Sequence, residues 1–457
     1  MVFPRSILPN LLEWKNDPGH KPLILRGARQ VGKTHLVETF AKAQFKNVVS
    51  LNFERHQHLE PIFSSGLPIT ELIAKLEVVT QTRITAGETL IFFDEIQACA
   101  PAIASLRYFY EELPQLHVIA AGSLLEFALD QADTAFPVGR VTMRYLHPFS
   151  YLEFLWAVGE DALANYLRQV PLTENILDPL HQKARNLLRN YLLLGGMPEV
   201  VSRYYESQSF IKADSHKEDL LKTFQDDFRK YGRKVNVHHL EIVFKMAAEH
   251  IGQRVQFSHV EGVASSQAIA ASRLLEKAML IRRVPRLQAV SFPMLPKRKA
   301  SPKLLFLDVG LAQHLNRISQ QIIESDNISA IYKGGLAEQY VGQTLLALLG
   351  TCSAPELFFW QRDHGPAQAE VDYVYPYQSY LLPIEVKFGR GSTLASLHQF
   401  VSAHQPPLAL RIYDGMLSIE PVKARLPQGG FVDYRMLSVP LYLCHELPRL
   451  IKQALDS

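Results

Sequence analysis

The sequence predicts an α/β protein with several domains. At 457 residues, the chain is too long for one ordinary hydrophobic core. Apolar runs typical of buried strands alternate with helical stretches in the first and last thirds of the chain. The residues are 47% hydrophobic and 20% charged, as is usual for a folded globular protein. We expect domains at residues 1–147, 148–212, 213–300 and 301–457.

The bulk composition argues against several classes of protein. The chain has 48 Lys and Arg against 45 Asp and Glu, and a net charge of +3 does not by itself indicate a nucleic-acid partner. Cys99, Cys352 and Cys444 lie far apart, which is typical of a reducing compartment. No segment reaches the ~18 uninterrupted apolar residues of a membrane span, and the N-terminus lacks the apolar core of a secretion signal. We therefore expect a cytoplasmic protein without a membrane partner.

A glycine-rich loop lies between a predicted strand, Leu23–Leu25, and a predicted amphipathic helix. The loop consists of Gly27, Ala28, Arg29, Gln30, Val31, Gly32, Lys33 and Thr34. Such a loop curls backbone N–H groups around a phosphate at a helix N-terminus. Lys33 is predicted to reach the β- and γ-phosphates, and the Thr34 hydroxyl to ligate Mg²⁺. The loop thus predicts ATP binding; the alternative is a chance glycine-rich turn.

Two further apolar runs end in polar residues. Leu90–Phe93 is followed by Asp94 and Glu95, at the strand end where open α/β sheets bind ligands. Asp94 is predicted to hold Mg²⁺ through its water shell, and Glu95 to act as the general base for the attacking water. The run His117–Ala121 leads to Ser123, which is predicted to orient that water and sense the γ-phosphate. For Ser123 the alternative is a simple turn serine.

Arg140 is a candidate for contact with the γ-phosphate, either in its own chain or from a neighbouring subunit. Arg144 lies close to it, and an exposed salt bridge is the alternative role. A role between subunits requires a homo-oligomer, although the sequence shows no clear oligomerisation element.

These motifs carry a family resemblance. Gly27–Thr34, Phe93–Gln97 and Gly139–Phe154 resemble a prokaryotic AAA+ family whose members pair an ATPase with a C-terminal domain of unknown function. The resemblance continues through Gly195–Glu199 and Leu307–Leu311, and so covers nearly the whole chain. It implies a P-loop AAA+ ATPase domain followed by a helical lid. The cellular role of the family is poorly defined, so the resemblance implies an architecture more than a purpose.

In the middle of the chain, the sequence predicts a helical lid followed by a winged helix. Residues 148–212 are rich in Leu, Tyr and Glu at helical spacing, which favours the lid. Within residues 213–300, a short helix at Phe257, a second helix over Ser265–Ala278 and a strand over Leu280–Val284 follow the order of a winged helix.

Basic residues accompany this predicted winged helix. They are Arg273, Lys277, Arg282, Arg283, Arg286, Lys297, Arg298 and Lys299. A positive wing suits the phosphate backbone of DNA, so DNA is a predicted partner. The alternative is a packing module whose charges are merely solvated.

The last domain contains four polar residues that predict a metal-dependent site. Asp372 lies in a predicted strand thirteen residues before Glu385, which leaves room for a hairpin. Glu385 and Lys387 share one face of the next strand. Asp372 and Glu385 are predicted to hold Mg²⁺, and Lys387 to orient or deprotonate a water that attacks a phosphodiester. Glu338, on a predicted helix, adds a further carboxylate.

This pattern is similar to the PD-(D/E)XK nuclease core, with Val371 in place of the proline of the motif. The resemblance implies a restriction-endonuclease-like α/β domain and Mg²⁺-dependent DNA cleavage. Gly389–Thr393 is a further candidate for phosphate contact. The alternatives are an exposed, salt-bridged strand pair and a nuclease-like fold kept as a binding module.

The sequence therefore predicts an ATP-hydrolysing protein that engages DNA, with Mg²⁺-dependent cleavage by the C-terminal domain. One alternative is an ATP-dependent switch whose C-terminal domain is only a binding scaffold. Another is a motor that moves DNA with little nuclease activity.

Overall fold

The computed structural model describes residues 3–64, 66–129, 136–231, 235–317, 335–350, 356–363, 369–387, 393–427 and 429–457. These residues form a five-stranded, a six-stranded and a two-stranded sheet, with helices around them. None of the helices in these ranges has the length and apolar character needed to cross a membrane.

A parallel five-stranded sheet forms the centre of the first domain. Its strands are β1 (Leu23–Arg26), β2 (Asn47–Asn52), β3 (Thr89–Asp94), β4 (His117–Gly122) and β5 (Thr142–Tyr145), in the order β2-β3-β4-β1-β5. Every residue of β1, β3 and β4 is buried, because helices cover both faces of a parallel sheet. Since all five strands are parallel, their carboxyl ends meet at one edge.

Six helices accompany this sheet. They are α1 (Leu8–Asn16), α2 (Lys33–Gln44), α3 (Glu60–Ser64), α4 (Ile69–Thr80), α5 (Ala100–Glu112) and α6 (Leu125–Leu129). Helix α2 begins directly after Gly32, whose φ of 91° glycine adopts without strain. A Cβ on Gly27 would lie 2.4 Å from the carbonyl oxygen of Leu146, so the chain after β1 passes closely beside the chain after β5. The backbone thus favours glycine at both positions, at Gly32 because of its positive φ and at Gly27 because of the close approach of Leu146.

The helices expected over residues 148–212 are present. They are α7 (Tyr151–Ala157), α8 (Asp161–Gln169), α9 (Asp178–Leu194) and α10 (Pro198–Ser207), and α11 (Phe210–Asp227) follows. Ser150 and Glu153 form a capping box at the start of α7, in which each side chain accepts a hydrogen bond from the backbone N–H of the other.

The next segment contains α12 (Val237–Glu249), a 3-10 helix (Phe257–His259), α13 (Ser265–Lys277), β6 (Ile281–Val284), β7 (Lys303–Phe306) and α14 (Val309–Leu315). Strands β6 and β7 pair antiparallel, and α14 packs on α9 and α12. The boundary expected at residue 300 therefore falls in the loop between two paired strands. Strand β7 and helix α14 pack against the middle of the molecule, and the boundary itself stays a prediction.

The last part is built on a mixed sheet. It contains α15 (Leu336–Leu349), β8 (Phe358–Gln361), β9 (Glu370–Tyr377), β10 (Tyr380–Lys387), α16 (Ala395–His404), β11 (Ala409–Tyr413), β12 (Ser418–Arg425), β13 (Phe431–Pro440), a 3-10 helix (Leu441–Glu446) and α17 (Leu447–Asp456). The strand order is β12-β13-β11-β10-β9-β8. Strands β10, β11 and β13 run parallel, whereas β8, β9 and β12 run antiparallel to their neighbours.

The last domain packs against the lid helices. Arg449 of α17 donates a hydrogen bond to the carbonyl of Val170 at 2.8 Å. His181 of α9 is hydrogen-bonded to the hydroxyl of Tyr442 at 2.9 Å. One hydrophobic cluster extends from α1 to α17.

Candidate functional site

A cavity of about 660 Å³ opens at the carboxyl edge of the first sheet. Its lining comes from the loop after β1, from the end of β2 and from the end of β3, and includes Arg29, Lys33, Asn52, Asp94 and Glu95. The volume lies within the ~300–1,000 Å³ that small-molecule sites occupy.

Lys33 is held inside the glycine-rich loop. Its side-chain nitrogen donates hydrogen bonds to the carbonyl oxygens of Gly27 at 2.9 Å and Ala28 at 2.8 Å. Burial lowers the pKa of Lys33 to about 8, although Glu95 and Asp94 act in the opposite direction. An ammonium group beside the N-terminus of α2 is well suited to an anionic ligand.

Asp94 lies at the centre of a polar network. The hydroxyl of Thr34 is 3.2 Å from both of its carboxylate oxygens. Asn52 donates to its Oδ2 at 2.9 Å from the end of the neighbouring strand β2. Burial raises the pKa of Asp94, and the hydrogen bonds from Asn52 and Thr34 oppose that shift. These hydroxyl and carboxylate oxygens, on one wall of the cavity, fit a hydrated Mg²⁺ ion.

Glu95 is held at the edge of the same cavity. Its backbone has a φ of 50°, in the left-handed region, as the chain turns out of β3. The side-chain amide of Gln97 donates to its carboxylate at 2.6 Å. Gly122 leaves room for that amide, since a Cβ there would lie 2.3 Å from the Gln97 oxygen. Glu95 is thus oriented by a residue that sequence reasoning did not single out.

Ser123 lies outside the lining of this cavity. It follows β4, is buried, and lines a neighbouring cavity of about 330 Å³ together with Arg282 and Arg283 of β6. Contact between Ser123 and a nucleotide stays a prediction.

Arg140 lies at the opposite edge of the sheet. Strand β5 runs parallel to β1 with Thr142 beside Leu23, so Arg140 precedes the amino end of β5. Its Nε donates to Glu111 at 2.8 Å, which is the exposed salt bridge weighed as the alternative. In this arrangement Arg140 lies away from the cavity at the carboxyl edge, and its contact with the γ-phosphate of its own chain stays a prediction. A role towards a neighbouring subunit stays a prediction.

Comparison with family models agrees with this geometry. Residues 19–155 match a model described as an AAA domain, and this match spans both the glycine-rich loop and Asp94–Glu95. Residues 19–155 are an AAA-type ATPase domain. Residues 185–322 and 333–424 match two domains of unknown function, DUF8612 and DUF4143. The first of these matches includes β7 and α14, in agreement with their packing.

The chain has only low similarity to solved structures. Caenorhabditis elegans PCH-2 is 11% identical over 60% of this chain and 69% of its own length, with a TM-score of 0.24. The RuvB Holliday junction branch migration motor of Thermotoga maritima is 14% identical over 62% of this chain and 90% of its own length, with a TM-score of 0.27. Likenesses this weak decide neither overall fold nor function. No curated protein matches the chain.

The glycine-rich loop is tied to the middle of the chain. Arg29, which lines the cavity, pairs with Asp227 at the end of α11. Asp227 is 3% exposed and also accepts from Lys230 at 2.9 Å. A ligand that draws Arg29 towards itself would therefore release a buried carboxylate in another part of the molecule.

A buried arginine near the N-terminus stabilises the glycine-rich loop. Arg5 donates to the carbonyl of Val31 at 3.0 Å and to that of His147 at 2.6 Å. Its Nε also pairs with Glu153 at 3.1 Å. Arg5 thereby joins the loop to the start of the lid.

The structure brings together the four polar residues expected in the last domain. Asp372 on β9 accepts from the backbone N–H of Val386 at 2.9 Å, and Lys387 pairs with Glu385 at 2.7 Å. Burial, followed by the nearby Asp372 charge, raises the pKa of Glu385 to about 8 and that of Glu338 to about 7. The predicted phosphate contact at Gly389–Thr393 lies outside the described residues as far as Ser392.

The Mg²⁺ site expected at Asp372 and Glu385 is nevertheless not formed. Lys303 of β7 places its ammonium 2.9 Å from Glu370, 3.1 Å from Glu338 and 3.2 Å from Asp372. Within the described ranges, no group of three or more His, Cys, Asp or Glu residues is arranged to hold a metal ion. The residues therefore do not fit Mg²⁺ in this arrangement, because a lysine lies where the cation would be.

The predicted basic cluster is partly neutralised. Arg283 pairs with Glu276 at 2.6 Å, and both Arg286 and Lys297 pair with Asp363. By contrast, the side chains of Arg273, Arg298 and Lys299 are exposed. The positively charged surface is therefore smaller than the sequence predicts.

Proposed function

We propose that the chain binds ATP with Mg²⁺ in the cavity beside Lys33 and hydrolyses it. The observation that carries this proposal is the convergence of Lys33, Thr34, Asp94 and Glu95 on one cavity at the carboxyl edge of the sheet. The match of this segment to an AAA domain supports it.

Each residue has a separate part in the proposed reaction. Lys33 exchanges its hydrogen bonds to the loop carbonyls for bonds to β- and γ-phosphate oxygens. Thr34 and Asp94 hold the metal ion, which when bound neutralises charge on the phosphate oxygens. Glu95 accepts the proton of the attacking water. Gln97 fixes the direction in which the Glu95 carboxylate points. Phosphate release from ATP by the full-length protein, compared with that of Lys33→Ala, tests the proposal.

We further propose that the pair formed by Arg29 and Asp227 reports the nucleotide state to the middle of the chain. Arg29 lies in the cavity wall, so a bound phosphate competes with Asp227 for its guanidinium. Asp227→Asn removes the competing charge with little change in shape. We expect ATP to bind about tenfold more tightly to this variant, as for the loss of ~1.4 kcal/mol of competing interaction, measured by calorimetric titration.

Asp226→Asn is the matched control for this measurement, because Asp226 is the exposed neighbour of Asp227. Its affinity for ATP should equal that of the wild type. An unchanged affinity in Asp227→Asn would mean that Arg29 stays with helix α11 when nucleotide binds.

DNA engagement by the middle domain is a second proposal, favoured by one feature of the surface. A cavity of about 670 Å³ between α13 and the loop joining β6 to β7 is lined by Arg273 and Lys299, among others. Replacing both Arg298 and Lys299 with alanine should weaken DNA binding. It should also lower the slope of log affinity against log salt by about 2 if each residue contacts one phosphate.

Lys245→Ala is a suitable control, since the Lys245 side chain on α12 is 70% exposed and away from this cavity. DNA binding and salt dependence that are the same in the double variant as in wild type would refute the proposed contact.

Mg²⁺-dependent DNA cleavage is a further candidate, favoured by the meeting of Asp372, Glu385 and Lys387 on adjacent strands. The position of Lys303 argues against it and favours a scaffold role. Plasmid and single-stranded DNA are incubated with Mg²⁺ or Mn²⁺, with and without ATP. Nicking that Lys387→Ala abolishes would support a nuclease, whereas intact DNA under every condition would support the scaffold.

A further inference from the structure

The acidic trio of the last domain, Glu338, Glu370 and Asp372, surrounds one lysine. The nitrogen of Lys303 is 3.1, 2.9 and 3.2 Å from their respective carboxylate oxygens. Lys303 is only 2% exposed. Asp372 is buried, and Glu338 and Glu370 are partly buried. Carboxylates withdrawn from water are stabilised by a nearby positive charge, and the Lys303 ammonium lies within hydrogen-bonding distance of all three.

This lysine belongs to another part of the molecule. Lys303 opens β7, which pairs with β6 of the middle segment. Arg254, beside Lys303 in an isolated antiparallel bridge, adds a second cation to the trio at 3.3 Å from Glu370. Gly252 brings the same loop close to α15, since a Cβ there would lie 3.2 Å from the Glu338 carboxylate. The middle segment therefore covers the trio and supplies its counter-charges.

One further carboxylate lies beside the trio. Glu385 is 4% exposed, and its Oε2 is buried without a hydrogen-bond partner among the described residues. Lys387 reaches only the other oxygen, Oε1, at 2.7 Å. The group thus has ligand oxygens suited to a hard divalent cation, but Lys303 lies within hydrogen-bonding distance of all three members of the trio. An ammonium and a metal ion cannot share that position.

We propose that Lys303 occupies the cation position of the acidic trio and thereby prevents divalent metal ions from binding there. The lysine takes the place that sequence reasoning gave to Mg²⁺. Removing its charge leaves a cluster of carboxylates that must bind another cation or take up protons. The Lys303→Met variant should therefore acquire a divalent-metal site that the parent protein lacks. This proposal concerns binding in the last domain and does not depend on ATP hydrolysis.

Mn²⁺ binding to the full-length, nucleotide-free protein tests the proposal by electron paramagnetic resonance. An Asp94→Asn background removes the carboxylate proposed to bind the metal ion in the first domain. We expect Lys303→Met to bind Mn²⁺ at least about tenfold more tightly than its parent, a difference of ~1.4 kcal/mol. Adding Asp372→Asn should abolish this gain. An Asp372-dependent Mn²⁺ site of equal affinity in the parent would overturn the proposal, as would a folded Lys303→Met protein without a new site.

A second measurement uses the wild-type protein and does not depend on the folding of any variant. Amine labelling followed by mass spectrometry compares Lys303 with Lys245, whose side chain is 70% exposed. Lys303 should react at least about tenfold more slowly, because it is buried and ion-paired. Added Mn²⁺ should leave its rate unchanged. Labelling as fast as that of Lys245, or labelling accelerated by Mn²⁺, would show that metal or solvent displaces the lysine and would refute the proposal.

Discussion

Lys33→Ala is expected to abolish ATP hydrolysis. Lys33 is 7% exposed, and its ammonium is held within the glycine-rich loop by the carbonyls of Gly27 and Ala28, from which it is expected to reach the phosphates. Losing one preorganised electrostatic contact to a transferring phosphoryl group costs about 10²–10³ in turnover. Because Lys33 also contributes to binding, the affinity for ATP should fall together with the rate. Phosphate release from ATP and Mg²⁺ is the measurement.

Lys42→Ala serves as the matched control for this variant. Lys42 lies in the last turn of the same helix, α2, and its side chain is exposed. Its substitution should leave hydrolysis unchanged. Hydrolysis at the wild-type rate in Lys33→Ala would contradict the assignment of the nucleotide site.

Glu95→Gln is expected to separate ATP binding from hydrolysis. The amide keeps the shape of the side chain but cannot accept a proton from water, so turnover should fall by about 10²–10⁴. Lys33 and Thr34 are untouched, so ATP should still bind. Turnover and nucleotide affinity are measured on the same preparation.

Two comparisons make the Glu95 result specific. Gln97→Ala removes only the hydrogen bond that orients Glu95, so it should slow turnover less than Glu95→Gln does. Glu13→Gln, on the exposed side of α1, should have no effect. Full turnover in Glu95→Gln would assign the general base to another group.

The arrangement of the candidate nucleotide site was largely predictable because its parts are local in sequence. The glycine-rich loop and its strand and helix are contiguous, and the apolar run before Asp94 places this residue at the end of β3. The parallel order of the strands then brings Asp94 next to Thr34, at 3.2 Å. Hydrophobic patterning and one motif therefore sufficed for this part of the fold.

The supporting residues could not be found in the same way. Arg5 reaches its Glu153 partner across 148 positions of sequence, and Arg29 reaches Asp227 across 198. Asn52 ends a strand that carries no motif of its own. Nothing local in the sequence indicates these partners, since each pairing depends on how the lid and α11 pack against the first domain.

The last domain shows a different limit of sequence reasoning. The pattern of Asp372, Glu385 and Lys387 predicted their convergence but not the cation between the carboxylates. Lys303 stands before the apolar run Leu304–Phe306, where a lysine is ordinarily an exposed strand end. Its burial follows from carboxylates 35 and 69 positions away. Strand β7 likewise pairs with β6 across a long loop, which no local pattern in the sequence indicates.

Titration of the full-length protein with a non-hydrolysable ATP analogue and Mg²⁺ tests the proposed nucleotide site most directly. We expect a single nucleotide site in each chain, absent in Lys33→Ala and retained in Glu95→Gln. No binding to the wild-type protein, or binding that survives Lys33→Ala unchanged, would contradict it.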